Sequence, residues 1–239
     1  MTLAKNCGNI PLMIPLFKSH FSMDGRSSLS IDDIFEIGKD LDEIILVEDT
    51  MAGFRKAKEK SFQLKKPLRF GLRIESKLCG DSSKLIYFAK NNKGIDTLRR
   101  IYTNAFTREQ ETFKIGEVEL DGVQVAVPFY DSFIHRSLHN FGDFSINLPD
   151  DAIFFEESNR HPFDYQISRA IKKWTDKAVS AKSIFYKNKE DFSSFQWYKS
   201  VCNRKQGKAP EFHNPNLEDF CSDEFCWESY QNKIRYAEI

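Results

Sequence analysis

Leu12-Met13-Ile14-Pro15-Leu16-Phe17 runs directly into Lys18-Ser19-His20-Phe21-Ser22. An unbroken apolar run of this length reads as a strand buried on both faces, and the polar residues behind it mark its C-terminal end. The same unit recurs along the chain. Ile44-Ile45-Leu46-Val47 ends in Glu48-Asp49 and Leu68 to Leu72 ends in Arg73, while Leu85 to Ala89, Ala152 to Phe155 and Val179 to Tyr186 are further strands. Helical patterns lie between them. Ser30 caps a helix carrying Ile31, Ile34, Phe35 and Leu41 at helical spacing, with Asp33 in its first turn. Gly53 to Lys66 is helical and stops at Pro67. Ile95, Leu98, Ile101, Tyr102 and Ala105 share one helical face, and Phe163 to Trp174 is a further helix. Asp121-Gly122, with Val118 to Leu120 before it and Val123 to Val127 after it, carries a hairpin signal. Strands alternating with helices predict an α/β protein with a parallel sheet or barrel, whose chemistry gathers at the C-terminal strand ends.

Charge and composition exclude several function classes. Lys+Arg and Asp+Glu both number 35, so no global field draws the chain to nucleic acid or a membrane, and any such role needs a local patch. The 41% hydrophobic fraction, with 22 Phe, supplies a real core. No apolar run approaches ~20 residues and the N-terminal stretch lacks a long apolar region, so neither a membrane span nor a secretory leader is expected. Five Cys, an odd number, read as reduced thiols of a cytoplasmic protein. With no Gly-rich phosphate loop, nucleophile elbow or Ser-His-Asp order, no cofactor is expected.

From Lys187 the pattern changes. Asp191 to Cys202 reads as an aromatic-rich helix, residues 203–216 as an irregular loop, and Ser222 as the N-cap of a closing helix from Asp223 to about Lys233. Residues 1–187 are therefore expected to form the main domain, and 188–239 an extension packed on it.

The order of these pieces resembles the PHP (polymerase and histidinol phosphatase) domain, in the version found at the N-terminus of bacterial DNA polymerase III alpha subunits. Phe17-Lys18-Ser19-His20 to Ser28, Ile45 to Gly53, Pro67 to Glu75 and Lys84 to Asn91 carry the likeness. Leu46 to Asp49, Val127 to Phe133, Ala181 to Asn188 and Cys221 to Cys226 are similar to short free-standing PHP-like proteins of large bacteriophages. The resemblance implies a distorted (β/α)7 barrel followed by a C-terminal helical extension. It also implies a supporting role beside the replication polymerase or its machinery, in the host cytoplasm if the chain is phage-encoded. Some family members carry a metal-dependent 3′–5′ exonuclease activity.

The family's ligand pattern is not kept. Its opening His-x-His falls on Lys18-Ser19-His20, its Asp-His on Glu48-Asp49, and the Glu closing its third strand on Arg73, with Glu75 two residues on. Its Cys-bearing turn falls near Tyr130, and its closing Asp-x-His on Ser183-Ile184-Phe185. Lys18 and Arg73 put positive charge where cations would bind, and Phe185 offers no donor atom. The expectation is a degenerate site without metal, in which Lys18 pairs with Glu48 or Arg73 with Asp49. The function expected with it is that of a catalytically inactive accessory or interaction protein of phage DNA replication. The alternatives are a residual metal-dependent phosphoesterase or exonuclease using His20, Glu48, Asp49, Glu75 and His135, and a nucleic-acid-binding module.

That last alternative rests on Arg55, Lys56, Lys58, Lys60, Lys65 and Lys66, the densest basic run, which could touch phosphates. A solvated outer face of a barrel helix is the preferred reading. Phe192, Phe195, Trp197 and Tyr198 could stack bases, but read better as packing of the extension. His135 and His139, and the set Cys202, His213, Cys221 and Cys226, have spacings that can hold zinc. No Glu lies between the two histidines, and cysteines commonly serve as small core residues, so zinc is not expected at either.

Overall fold

The protein is described by a computed structural model covering residues 13–22, 27–78, 81–107, 113–116, 118–130, 132–134, 148–158, 163–202 and 223–237. One sheet holds eight strands: β1 (Ile14–Phe17), β2 (Ile44–Glu48), β3 (Leu68–Leu78), β4 (Asp81–Ala89), β5 (Phe113–Lys114), β6 (Val123–Val127), β7 (Ile153–Glu156) and β8 (Ala178–Ile184). They run in the order β2-β1-β8-β7-β6-β4-β3-β5, and β2 also pairs with β3. Seven strands thereby close a barrel, with β5 appended to β3. The helices are α1 (Ile31–Ile37), α2 (Phe54–Leu64), α3 (Asn92–Phe106), α4 (Asp164–Trp174), α5 (Phe192–Cys202) and α6 (Trp227–Ala237).

Local chemistry starts and stops these elements. Ser30 and Asp33 form a capping box on α1, the Ser30 hydroxyl accepting from Asp33 N and the Asp33 carboxylate from Ser30 N. Asn91 caps α3 by accepting from Gly94 N at 2.9 Å. Lys65, in the left-handed region at φ 50°, ends α2 just ahead of Pro67.

Three expectations are corrected. The barrel is not wholly parallel: β4 runs antiparallel to both β3 and β6. Arg73 to Lys84 extend the two strands toward each other, leaving two residues between Leu78 and Asp81, and a parallel crossover needs a dozen or more. The Asp121-Gly122 turn does not join two arms of a hairpin either, because Val118 to Leu120 form no strand. Gly122, at φ 70°, sits instead on the N-terminus of α3, where Asp121 O accepts from Thr97 Oγ1 and Gly122 O from Lys90 N. Finally, α6 begins at Trp227 rather than Asp223. Phe185 N donates to Phe225 O, and Cys226 bridges Tyr186, so this stretch extends alongside the end of β8.

Side chains alternate across the barrel wall. Ile14, Leu16, Ile45, Val47, Ile86, Phe88, Ala126, Ile153, Phe155 and Ala181 fill the interior. Gly71 leaves the room that the Phe88 ring takes; a Cβ there would lie 2.5 Å from that ring. The opposite faces, among them Phe17, Ile44, Leu46, Phe70 and Leu72, pack under the helices. Two residues beyond the last apolar interior layer of β1 and β2, and two beyond Gly71 on β3, the inward positions are Lys18, Asp49 and Arg73.

Candidate functional site

These three side chains meet at the C-terminal end of the barrel. Asp49 Oδ2 lies 3.3 Å from Lys18 Nζ, and Asp49 Oδ1 lies 2.7 Å from Arg73 Nε. Their side chains are 14%, 7% and 8% exposed respectively, so the carboxylate bridges two cations largely out of water. Charges this buried persist because they are paired. Ser27 ties the neighbouring strand ends, its hydroxyl within reach of the carbonyls of Lys18 (2.6 Å) and Phe185 (2.9 Å).

Of the two pairings expected, Arg73 with Asp49 is present, and Lys18 also reaches Asp49. Glu48 follows Leu46 to the outer face and is fully buried there. It clamps the loop after β1, accepting from Ser19 N at 2.9 Å and Ser22 Oγ at 2.7 Å. Burial pushes its carboxyl up, against the pull of these bonds and of Lys18. A carboxyl raised in the folded state contributes stability at low pH that is lost as pH climbs above its ordinary value. Glu48→Gln keeps the acceptor for Ser19 N, so near pH 4.5 it should change stability by no more than about 1 kcal/mol. As pH rises to 7.5 the wild type should lose ground to the variant. Urea midpoints at both pH values test this, and a wild type that holds or gains ground on the variant with rising pH would refute it.

The other residues singled out scatter around this cluster. His20 is exposed, with Nδ1 3.2 Å from Leu29 O and its ring against Phe21, so the chain turns it away from the barrel. Glu75 lies opposite Lys84 in the β3–β4 ladder. The Tyr130 hydroxyl donates to the buried Asp164 at 2.5 Å on the outer side, toward α4. Phe185 is stacked between Phe195 and Phe225. Ser183 bonds through both N (2.8 Å) and Oγ (2.9 Å) to Glu157, a buried carboxylate that sequence reasoning passed over. The signal was there in Glu156-Glu157 directly behind the apolar strand Ile153 to Phe155.

Acids match part of the basic run on and just after α2. Lys56 and Lys60 share Asp32 at 2.7 and 2.8 Å, Arg55 pairs with Glu59, and Lys66 donates to the carbonyls of Lys39 and Leu41. Asp32 is held well below its usual range, near 2, by these two lysines. This is the surface lattice of a solvated helix. On α5, Phe195 is buried while Trp197 and Tyr198 are exposed. Cys202 is exposed and Cys226 buried. His135, His139, His213 and Cys221 lie outside the described residues.

No known protein family matches the chain, and no curated protein does. Among solved structures it is similar to a proposed metal-dependent phosphoesterase of Bifidobacterium adolescentis, at 18% identity and a TM-score of 0.31. That likeness covers 41% of this chain and 37% of the other, and carries no argument about fold or activity. The side chains therefore have to speak for the site.

Among the described residues, the donors of this cluster differ from those of a multinuclear hydrolytic centre. Such a centre needs His and carboxylate donors facing one another around the cations. Here Asp49 is bonded to two protein cations, the buried Glu157 to Ser183, and Phe185 stands in an aromatic stack. Among the described residues, no three His, Cys, Asp or Glu side chains converge as a metal-binding group. No described helix is long and apolar enough to cross a membrane.

Proposed function

We propose that the chain is a PHP-type barrel whose metal centre has been replaced by the Lys18–Asp49–Arg73 ion cluster. On this reading it acts without turnover, as an accessory or interaction protein of phage DNA replication. The observation that carries the reading is the position of the two cations. Lys18 follows the last residue of β1, and Arg73, within β3 rather than at its expected end, lies one residue past the stretch paired with β2. At that end of the barrel, where this architecture keeps its chemistry, the two together take up the carboxylate that a metal would need. What remains of such a domain is its supporting role beside the polymerase.

Calorimetric titration with Mn2+ and with Zn2+ should give no stoichiometric binding, and phosphodiester and phosphomonoester substrates should not be turned over. Lys18→His alone should not restore metal binding, because Arg73 still occupies Asp49. Tight binding of two or more ions with hydrolysis by the unmodified protein would overturn the reading. The partner side is tested by capture of the tagged chain from infected cells: co-purification of replication polymerase components supports it, and their absence beside other stable partners counts against it.

A further inference from the structure

Lys182 is the one lysine of β8 that lies beneath other structure. Its side chain is 3% exposed on the outer face of the strand, covered by residues 223–237. Nζ lies 3.5 Å from Glu224 Oε2 and 5.3 Å from the centre of the Phe225 ring. The same Glu224 oxygen is 3.0 Å from Lys233 Nζ on α6. Among the described side chains, Glu224 and Lys233 are the charged groups that face it; its register neighbour on β1 is Pro15. One carboxylate thus serves two ammonium groups, one of them out of water.

Further contacts hold this segment to the barrel. Trp227 N donates to Tyr186 O, Glu228 N to Lys187 O, and the Tyr230 hydroxyl to Met13 O at 3.0 Å. Trp227 packs on Phe17 and Phe225 on Phe185. These contacts cover the outer faces of β1 and β8, where Phe17, Ile184 and Tyr186 are fully buried.

We propose that residues 223–237 form a pH-sensitive strap over β1 and β8, held more weakly while Lys182 is charged and more tightly once it is neutral. Burial, and after it the field of Lys233, lower Lys182 from 10.5 to about 8, while Glu224 pulls the other way. Glu224 itself would be raised by burial, but its two lysine partners hold it below the ordinary range. The sign follows from proton counting. Between pH 8 and 10.5 the lifted strap, with Lys182 back in water, binds more protons than the seated one, so raising pH favours seating. Below pH 8 Lys182 is charged in both states and the dependence vanishes. Lifting the strap uncovers the apolar faces of β1 and β8.

The test is hydrogen exchange of the 223–237 amides by mass spectrometry at pH 7 to 10, read as the ratio of wild type to Lys182→Met at each pH. That ratio cancels the intrinsic pH dependence of exchange. The population of the lifted state in the wild type, relative to the variant, should fall by up to roughly tenfold per pH unit above 8. Lys233→Ala, at a half-exposed position, should shift the onset to higher pH because it removes the cation that helps discharge Lys182. A flat ratio, or an equal slope in peptides from β2 and β3, would overturn the strap; the second result would mean that the whole fold opens. If Lys182→Met fails to fold, the Lys233→Ala shift decides alone, and an unmoved onset refutes the proposal.

Discussion

Asp49→Ala is expected to destabilise the barrel by about 3–5 kcal/mol, the usual cost of leaving a buried charge without its counter-ion. The substitution removes one small carboxylate, yet it strips the shared partner from Lys18 and Arg73 together. Lys18→Ala should cost less, because Asp49 keeps its 2.7 Å contact with Arg73. Adding Lys18→Met to Asp49→Ala should recover part of the loss by removing one of the two neighbouring buried cations. Urea unfolding of the three variants measures the set. A change of under ~1 kcal/mol for Asp49→Ala would show that water already screens the cluster, as it does for surface pairs.

The second large effect is expected at Gly94→Ala, where two contributions oppose each other. In an exposed helix this change stabilises by about 1 kcal/mol. Here a Cβ would lie 2.1 Å from Gly122 O and 2.9 Å from Gly122 C, so backbone has to move by more than an ångström. The Gly122 turn cannot give way easily. It is held at φ 70° with Asp121 paired to Lys93 at 2.7 Å and bonded to Thr97. Overpacking against fixed backbone costs about 1–3 kcal/mol or more, so the clash wins and the variant should melt several degrees lower. A neutral or raised melting temperature would mean that the turn is not seated on α3 as described.

The Gly94 contact also shows why the Asp121-Gly122 signal misleads when read locally. The two residues have turn chemistry, and they do make a turn. What the turn packs against is a helix N-terminus some 28 positions earlier in the chain, as the Lys93–Asp121 pair shows. Glu157 was missed for a different reason: a carboxylate behind an apolar strand is common, and only β8 lying alongside supplies Ser183 to hold it.

Elements carried by periodicity and punctuation were legible in the amino-acid sequence alone. Ser30 with Asp33, Asn91 before Gly94 and Pro67 after Lys65 mark where helices begin and end, since capping depends on residues a few positions apart. The apolar runs marked the strands, and their polar ends marked where the charged side chains would gather. Barrel closure through β2–β3, the reversed β4 and the choice between Glu48 and Asp49 were not legible. All five residues of β2 are buried, and a strand buried on both faces has no polar alternation to reveal its phase. A shift of one residue exchanges inside for outside, so whether Glu48 or Asp49 entered the barrel was settled by the pairing of β2 with β1 and β3. That pairing placed Asp49 between two cations and left Glu48 to clamp a loop.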